Sequence, residues 1–188
     1  TFADHICNAL RNHDRIVVLG GGHETAFGSY CGIRQAYPNQ KIGIINFDAH
    51  LDLRLVGDSG PSSGTPFTHI RALDPNNFDY LCIGIADESN TVALQQRTRD
   101  WNVTMVSDHS LLGDNHAADT AVEAIIERSD LIYLTICLDV LPHYQAPCVS
   151  AAAIRGLPLT VIEYLTSHVL ARCAQMKCPI PVTAVVEL

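Results

Sequence analysis

The chain has 188 residues, 47% of them hydrophobic, and a formal net charge of −8, which allows one substantial core and a single domain over residues 1–188. Its 12 Lys and Arg are scattered, so the clustered phosphate contacts of a nucleic-acid binder are excluded. No apolar run approaches the roughly 20 residues of a membrane span, and no basic-then-apolar leader opens the chain, so no membrane partner is expected.

Apolar runs of strand length alternate with amphipathic stretches of helix length. In chain order the pattern predicts a helix over 2–12, a strand over 15–19, a helix over 24–36 and a strand over 41–47. A helix over 66–73, a strand over 80–85, a helix over 91–101 and a strand over 103–106 follow. The remainder is a helix over 117–128, a strand over 131–138, a helix over 160–174 and a strand over 181–186. Several strands are continuous Ile, Val and Leu, as expected where helices cover both faces. The expected fold is α/β, a three-layer α/β/α sandwich on a mainly parallel sheet. Residues 142–158 have too few periodic apolar positions for a helix and are expected to wall an active site. Seven cysteines without C-x-x-C spacing fit reduced, packed thiols and a cytoplasmic setting. The chain opens on Thr1 and closes at Glu187-Leu188 directly after an apolar run, so a segment of a longer protein is expected.

The stretch NFDAHLDLR, residues 46–54, places Asp48, His50 and Asp52 at two-residue intervals behind the run KIGII. On an extended backbone those three side chains point the same way. Carboxylates beside a neutral imidazole suit first-row divalent ions and can bridge a pair of them. A solvated polar turn is the plainer alternative. Other polar candidates also lie just past strand ends: His23 after Gly20–Gly22, Asp139, and Glu187. That is the edge where open parallel sheets bind ligands. The GGGHE turn lacks both the G-x-G-x-x-G spacing and a G-K-S/T ending, which argues against a nucleotide.

Thr135, Cys137 and Asp139 share one face of a predicted strand. A buried aspartate there needs a cation or several donors beside it, whereas Cys137 could be either an inert thiol or a ligand. Glu187 could orient a cationic substrate nitrogen. His5, His13, His109, His116 and His168 fall away from this edge and read as solvated or capping groups.

Taken in order, GGGHE, NFDAHLDLR, SSGTPF, LTICLDVLP with APCVS, and VVEL resemble the blocks of the ureohydrolase family, which contains arginase, agmatinase and formimidoylglutamase. The resemblance covers nearly the whole chain. It implies the same three-layer fold and two Mn2+ ions. One ion would be held by His23, Asp48, Asp52 and the Cys137 position, the other by His50, Asp48, Asp139 and the same Cys137 position. The lead-in Asn46-Phe47, the arginine closing DLR and the SSGTPF block are most similar to the formimidoylglutamases. Those enzymes hydrolyse N-formimidoyl-L-glutamate to L-glutamate and formamide in histidine degradation. The implied chemistry is attack of cation-activated water on the amidine carbon, with Asp52 bonded to the nucleophile. Glu187 would hold the amidine nitrogens. Arg54, Arg71 and Ser63 would contact the rest of the substrate, as guanidinium forks suit carboxylates.

This sequence departs from the family pattern at Cys137, where arginases carry a bridging aspartate; thiolate is softer and favours zinc or iron over manganese. Ser63 stands where arginase and agmatinase place a proton-shuttling histidine, and Cys148 and Ala152 replace small turn residues of the A-P-G-V-S-A-P loop. The alternatives are another ureohydrolase, acting as an arginase, agmatinase or guanidino-acid hydrolase, or an inactive metal-binding relative. For partners the resemblance implies a small-molecule substrate and a homo-oligomer.

Overall fold

The computed structural model describes residues 1–58 and 60–187. In chain order these form α1 (Phe2–Leu10), β1 (Ile16–Leu19), α2 (Thr25–Ala36), β2 (Ile42–Phe47), α3 (Pro66–Leu73) and β3 (Asp79–Ile85). Then come α4 (Val92–Asp100), β4 (Thr104–Ser107), α5 (His116–Glu127), β5 (Leu131–Cys137), α6 (Leu159–Met176) and β6 (Val182–Val186). No end differs from the expected boundaries by more than two residues, because each segment carries its own hydrophobic period and punctuation. Pro66 starts α3, the Thr91 hydroxyl accepts from Leu94 N to cap α4, and Lys177 ends α6 in the left-handed region.

The six strands form one parallel sheet in the order β1-β6-β5-β2-β3-β4. Alternation sorts the side chains into two cores. Ile42 and Ile44 of β2, Leu131 and Tyr133 of β5 and Val182 and Ala184 of β6 pack against α1, α2, α3 and α4. Ile45 and Phe47 of β2, Leu81 and Ile83 of β3 and Ile132 and Leu134 of β5 pack against α5 and α6. The molecule is therefore a three-layer α/β/α sandwich. β1, at the edge of the sheet, is covered on one face only, since Val17 and Leu19 are 64% and 71% exposed. The core beneath α5 and α6 draws on β2, β3, β4 and β5 and leaves β1 out.

Among the described residues no helix is long and apolar enough to cross a membrane. Residues 142–158 run as a loop, pinned by a bridge between Pro142 and Ala153.

Candidate metal centre

Parallel register turns scattered sequence positions into neighbours. Asn46 of β2 lies beside Thr135 of β5, Cys137 of β5 beside Val186 of β6, and Leu19 of β1 beside Val185 of β6. Residues one or a few positions past those strand ends must then share the same rim. Gly20 N donates to Val185 O (2.9 Å) and Glu187 N to Gly21 O (2.8 Å), so the chain after β1 is tied to the end of β6. Gly20 and Gly21 take φ of 89° and 80°, which glycine adopts without strain, and the turn delivers His23 to the rim ahead of α2.

Asp48, His50 and Asp52 also reach the rim, but not by strand alternation. β2 stops at Phe47, and Asp52 sits at φ 50° in the left-handed region. The segment leaves the sheet plane because other groups claim its backbone. Asp48 N donates to Ile83 O, and Ala86 N to Ala49 O. Asn90 accepts from Leu51 N and donates to Ala49 O and Ala86 O, each at 2.9 Å. Gly84, at φ 104°, lets this segment and the Asp139 turn close together: a Cβ there would lie 2.5 Å from Val140 Cγ2 and 3.4 Å from Asp48 O. Asp139 likewise lies outside β5, in a 3-10 turn over Leu138–Val140.

The result is a buried cluster. His23 Nδ1 is 2.9 Å from Asp48 Oδ2 and 2.9 Å from Asp52 Oδ2. His50 Nδ1 is 3.0 Å from Asp139 Oδ2 and 3.5 Å from Asp48 Oδ1. The donor atoms of His23, Asp48 and Cys137 lie within 4.8 Å of one another, and so do those of Asp48, His50 and Asp139. Asp48 belongs to both sets. Cys137 is grouped with His23 and Asp48, and its thiol also lies against the Asp139 carboxylate of the second set.

Supporting contacts aim these donors. His23 Nε2 is hydrogen-bonded to Thr135 Oγ1 at 3.1 Å, leaving Nδ1 turned toward the carboxylates. Asn46 Nδ2 donates to Asp48 Oδ2 at 3.1 Å and lies 2.9 Å from Tyr80 OH. His50 N donates to Asp48 Oδ1 at 2.7 Å. Tyr80 is held in turn by stacking on Phe67 at 4.2 Å between centroids. Such outer contacts orient metal ligands and are usually worth about ten- to a hundredfold in affinity.

The electrostatics describe a site short of positive charge. Burial lowers the His23 pKa, but the Asp48 and Asp52 carboxylates beside the ring outweigh it and carry it up to about 10. Burial is likewise outweighed at His50, which Asp139 and Asp48 hold at about 10. Burial and the Asp48 charge push Asp52 up to about 6 and Asp139 up to about 7. Asp48 is buried too, yet His23 and His50 hold it well below the carboxylate range. Burial and both neighbouring aspartates push the Cys137 thiol far upward. No Lys or Arg pairs with Asp48, Asp52 or Asp139 among the described residues.

A divalent cation fits this donor set. His23 Nδ1, although it faces two carboxylate oxygens, makes no hydrogen bond of good geometry, and neither does the buried Asp139 Oδ1. Buried polar atoms left that way are rare. Two imidazoles, three carboxylates and a thiol are ligands that first-row divalent ions accept.

The cluster floors a cleft of about 150 Å³ lined by His23, His50, Asp52, Arg54, Ser63 and Cys137, among others. Asp139, Ser150 and Glu187 line it too. Glu187 Oε1 accepts from His23 N (3.1 Å) and Oε2 accepts from Ser150 Oγ (2.8 Å). Arg54 lies over Gly64, where a Cβ would meet its Cδ at 3.0 Å. Arg71 is the exception. At the end of α3 it donates to Pro75 O at 3.0 Å and lies over the Trp101 ring at 6.0 Å, outside the cleft lining. The helix points it toward α4, so its assignment as a substrate contact is withdrawn.

Sequence reasoning did not pick out Asn46, Tyr80, Asn90 or Ser150. Asn46 had a usable signal, an amide inside the otherwise apolar run IGIINF, where a buried polar group needs partners. Ser150 closes the APCVS block within the loop expected to wall the site, whereas Asn90 sits in a loop without such a signal.

A model of the arginase family matches residues 1–177. Formimidoylglutamase of Photorhabdus laumondii is 46% identical over 167 residues, which is 84% of this chain and 50% of that protein. Formimidoylglutamase of Salmonella schwarzengrund is 44% identical over 169 residues, 88% of this chain and 52% of that protein. The chain thus spans about half the length of the curated relatives it matches. Among solved structures, formiminoglutamase of Trypanosoma cruzi with Mn2+ superposes with a TM-score of 0.81 at 21% identity, covering 100% of this chain and 61% of that one. Formimidoylglutamase of Bacillus subtilis gives 0.78 at 23% identity, covering 100% and 58%. Arginase of Bacillus caldovelox gives 0.77 at 20% identity, covering 100% and 65%. At those identities the structures establish the shared fold, and the match over 1–177 establishes more: this chain belongs to the arginase family.

Proposed function

We propose that this chain carries the catalytic centre of a binuclear manganese hydrolase that cleaves N-formimidoyl-L-glutamate to L-glutamate and formamide, in histidine degradation. The observation that carries the reading is the pair of ligand sets sharing Asp48 beneath a cleft also lined by Arg54 and Glu187. The names of the relatives that are 44–46% identical support the substrate, and the T. cruzi structure with Mn2+ supports the metal. The seven free cysteines support a reducing compartment, hence the cytoplasm.

His23, Asp48 and Asp52 would hold one cation and Asp48, His50 and Asp139 the other, with Cys137 beside both. When bound, such ions lower the pKa of water toward neutrality and polarise the electrophile. Asp52, beside His23 at the cleft floor, would accept a hydrogen bond and a proton from the attacking water. Water adds to the amidine carbon, the C–N bond to the glutamate nitrogen breaks, and that nitrogen leaves protonated.

Glu187 is fixed at both oxygens, by His23 N and Ser150 Oγ. A carboxylate held that way suits the cationic amidine through charge-assisted hydrogen bonds. Arg54 forms no ion pair among the described residues and offers its guanidinium to a substrate carboxylate. Ser63 adds a hydroxyl to the wall.

The test is product analysis with the Mn2+-loaded full-length protein offered N-formimidoyl-L-glutamate, arginine and agmatine. Formamide and glutamate without urea are expected. Arg54→Ala should raise KM for the acidic substrate about ten- to a hundredfold with kcat little changed, the range for one hydrogen bond to a charged group. Urea from a guanidino substrate would replace this reading with a sibling activity, and metal binding without turnover of any of the three would overturn it.

A further inference from the structure

Among the described residues Arg54 is the one guanidinium lining the cleft, and the peptide unit that carries it is gripped at both ends. Arg54 N donates to Gly64 O at 2.9 Å. On the other side Arg97, in the last turn of α4, donates through Nη1 to Leu53 O at 2.6 Å. Leu53 is fully buried, so its carbonyl needs a donor. Arg97 is itself held: its Cζ lies over the Trp101 ring, 5.5 Å from the centroid, where cation–π attraction favours it. Just upstream, Leu51 N donates to Asn90 Oδ1 (2.9 Å) and Leu51 O accepts from Tyr80 OH (3.2 Å). Asp52, between these ties, keeps a φ of 50°, which a residue other than glycine sustains only where its surroundings enforce it. The Arg54 side chain lies across Gly64, where a Cβ would stand 3.0 Å from Cδ, 3.3 Å from Nε and 3.5 Å from Cζ. The three nearest atoms all belong to Arg54, so the bare glycine makes room for that side chain.

We infer that Arg97 is a positioning residue for substrate selection: by holding Leu53 O against α4 it sets the direction in which Arg54 leaves the backbone, and Gly64 is the bed on which the guanidinium lies. The inference rests on the reading above that Arg54 meets a substrate carboxylate, and it names what makes that contact selective. A guanidinium fork rewards a carboxylate only at the right distance and angle. The peptide unit is planar, so releasing Leu53 O lets the whole unit turn, and the Arg54 side chain swings with it. Arg97 meets no substrate. Its effect therefore falls on the contrast between acidic amidines and amidines that lack carboxylates.

The readout is a selectivity ratio for the Mn2+-loaded full-length protein: kcat/KM for N-formimidoyl-L-glutamate divided by kcat/KM for N-butylformamidine, which has no carboxylate. Arg54→Ala should lower the ratio by about ten- to a hundredfold. Arg97→Met should lower it by about tenfold, because the guanidinium is displaced and not removed. Arg97→Lys, which keeps a donor for Leu53 O, should recover most of it. Gly64→Ala disturbs Arg54 without touching α4 and should lower it a few-fold. Trp101→Phe loosens the hold on Arg97 and should also lower it a few-fold, so the inference can fail even where Arg97→Met does not fold. Arg97→Met in the Arg54→Ala background should add nothing, because Arg97 acts through Arg54. Affinity for L-glutamate, measured by calorimetry, should follow the same order across these variants without any turnover. An unchanged ratio in Arg97→Met, equal losses on both substrates, or a further drop in the double variant overturns the inference and leaves the proposed activity standing. An unchanged ratio in Arg54→Ala overturns it too, and removes the carboxylate contact from the proposed function. No amidine turnover, with the glutamate affinities still in that order, counts against the activity while supporting the positioning role.

Discussion

Two clusters of charged side chains occupy the carboxyl rim of the sheet, one beyond β2 and β5, the other beyond β3 and β4, and among the described residues only the second pairs its carboxylates with a guanidinium. There Arg155, from the 142–158 loop, donates through Nε to Asp108 at 3.0 Å and through Nη2 to Glu88 at 3.0 Å, and approaches His109 Nδ1 at 3.3 Å. Its carboxylates are answered from within. Beyond β2 and β5, Asp48, Asp52 and Asp139 face only His23 and His50. The contrast teaches how to tell a clasp from a receptor on the same rim. A buried carboxylate must be compensated; where the fold provides the cation, the cluster fastens a loop, and where it does not, the cluster is suited to take a cation from solution.

Asp48→Ala should have the largest effect, because it removes the one residue common to both ligand sets. Hydrolysis should fall by roughly a thousandfold or more, the loss of about 4 kcal/mol of charge stabilisation, and calorimetry should find no tight Mn2+ site. Retention of two tight sites would collapse the distinction between the clusters.

Next comes pH. Ligands must shed protons to bind metal, and His23 and His50, raised to about 10, hold theirs well above neutrality. Below about 7 Asp139 takes up a proton, and below about 6 Asp52 follows. The sign is therefore fixed: Mn2+ affinity should rise continuously from about pH 6 to about pH 9, with roughly one or two protons released per ion. Calorimetry in buffers of different ionisation enthalpy measures that release, and a flat affinity profile would mean the site binds without displacing protons.

Arg155→Gln sharpens the comparison from the other side. It leaves Asp108, 2% exposed, without its guanidinium, so the melting temperature should drop by a few degrees while Mn2+ stoichiometry stays the same. Fewer bound ions in this variant would show the clasp to be part of the metal centre.

The smallest effect belongs to His168→Ala. His168 lies 3.8 Å from Asp119 and stacks on Tyr164, but Tyr164 keeps its own 2.9 Å hydrogen bond to Asp119. Stability should change by about 1 kcal/mol, the usual size for a single substitution, and activity should be unchanged; a loss near that of Asp48→Ala would discredit the assignment of the site.

The sequence by itself determined the twelve helices and strands, because a hydrophobic period, a cap or a turn is written within a few consecutive residues and each element must bury its own face. It also marked His23, Asp48, His50, Asp52, Cys137, Asp139 and Glu187, since polar groups directly after apolar strands are conspicuous in one dimension. The stated reason for one trio was nevertheless wrong: Asp48, His50 and Asp52 meet through a curl fastened by Asn90 and Ile83, and not through an extended strand. Local spacing likewise could not say that Arg71 turns to Trp101 while Arg54 lines the cleft. Nor could it show that the Cys137 thiol reaches Asp139 as well as the His23 set. Only the tertiary structure decided these points. Which donors share a cation depends on strand order, parallel register and the close approach permitted at Gly84, and those follow from packing between segments far apart in the chain.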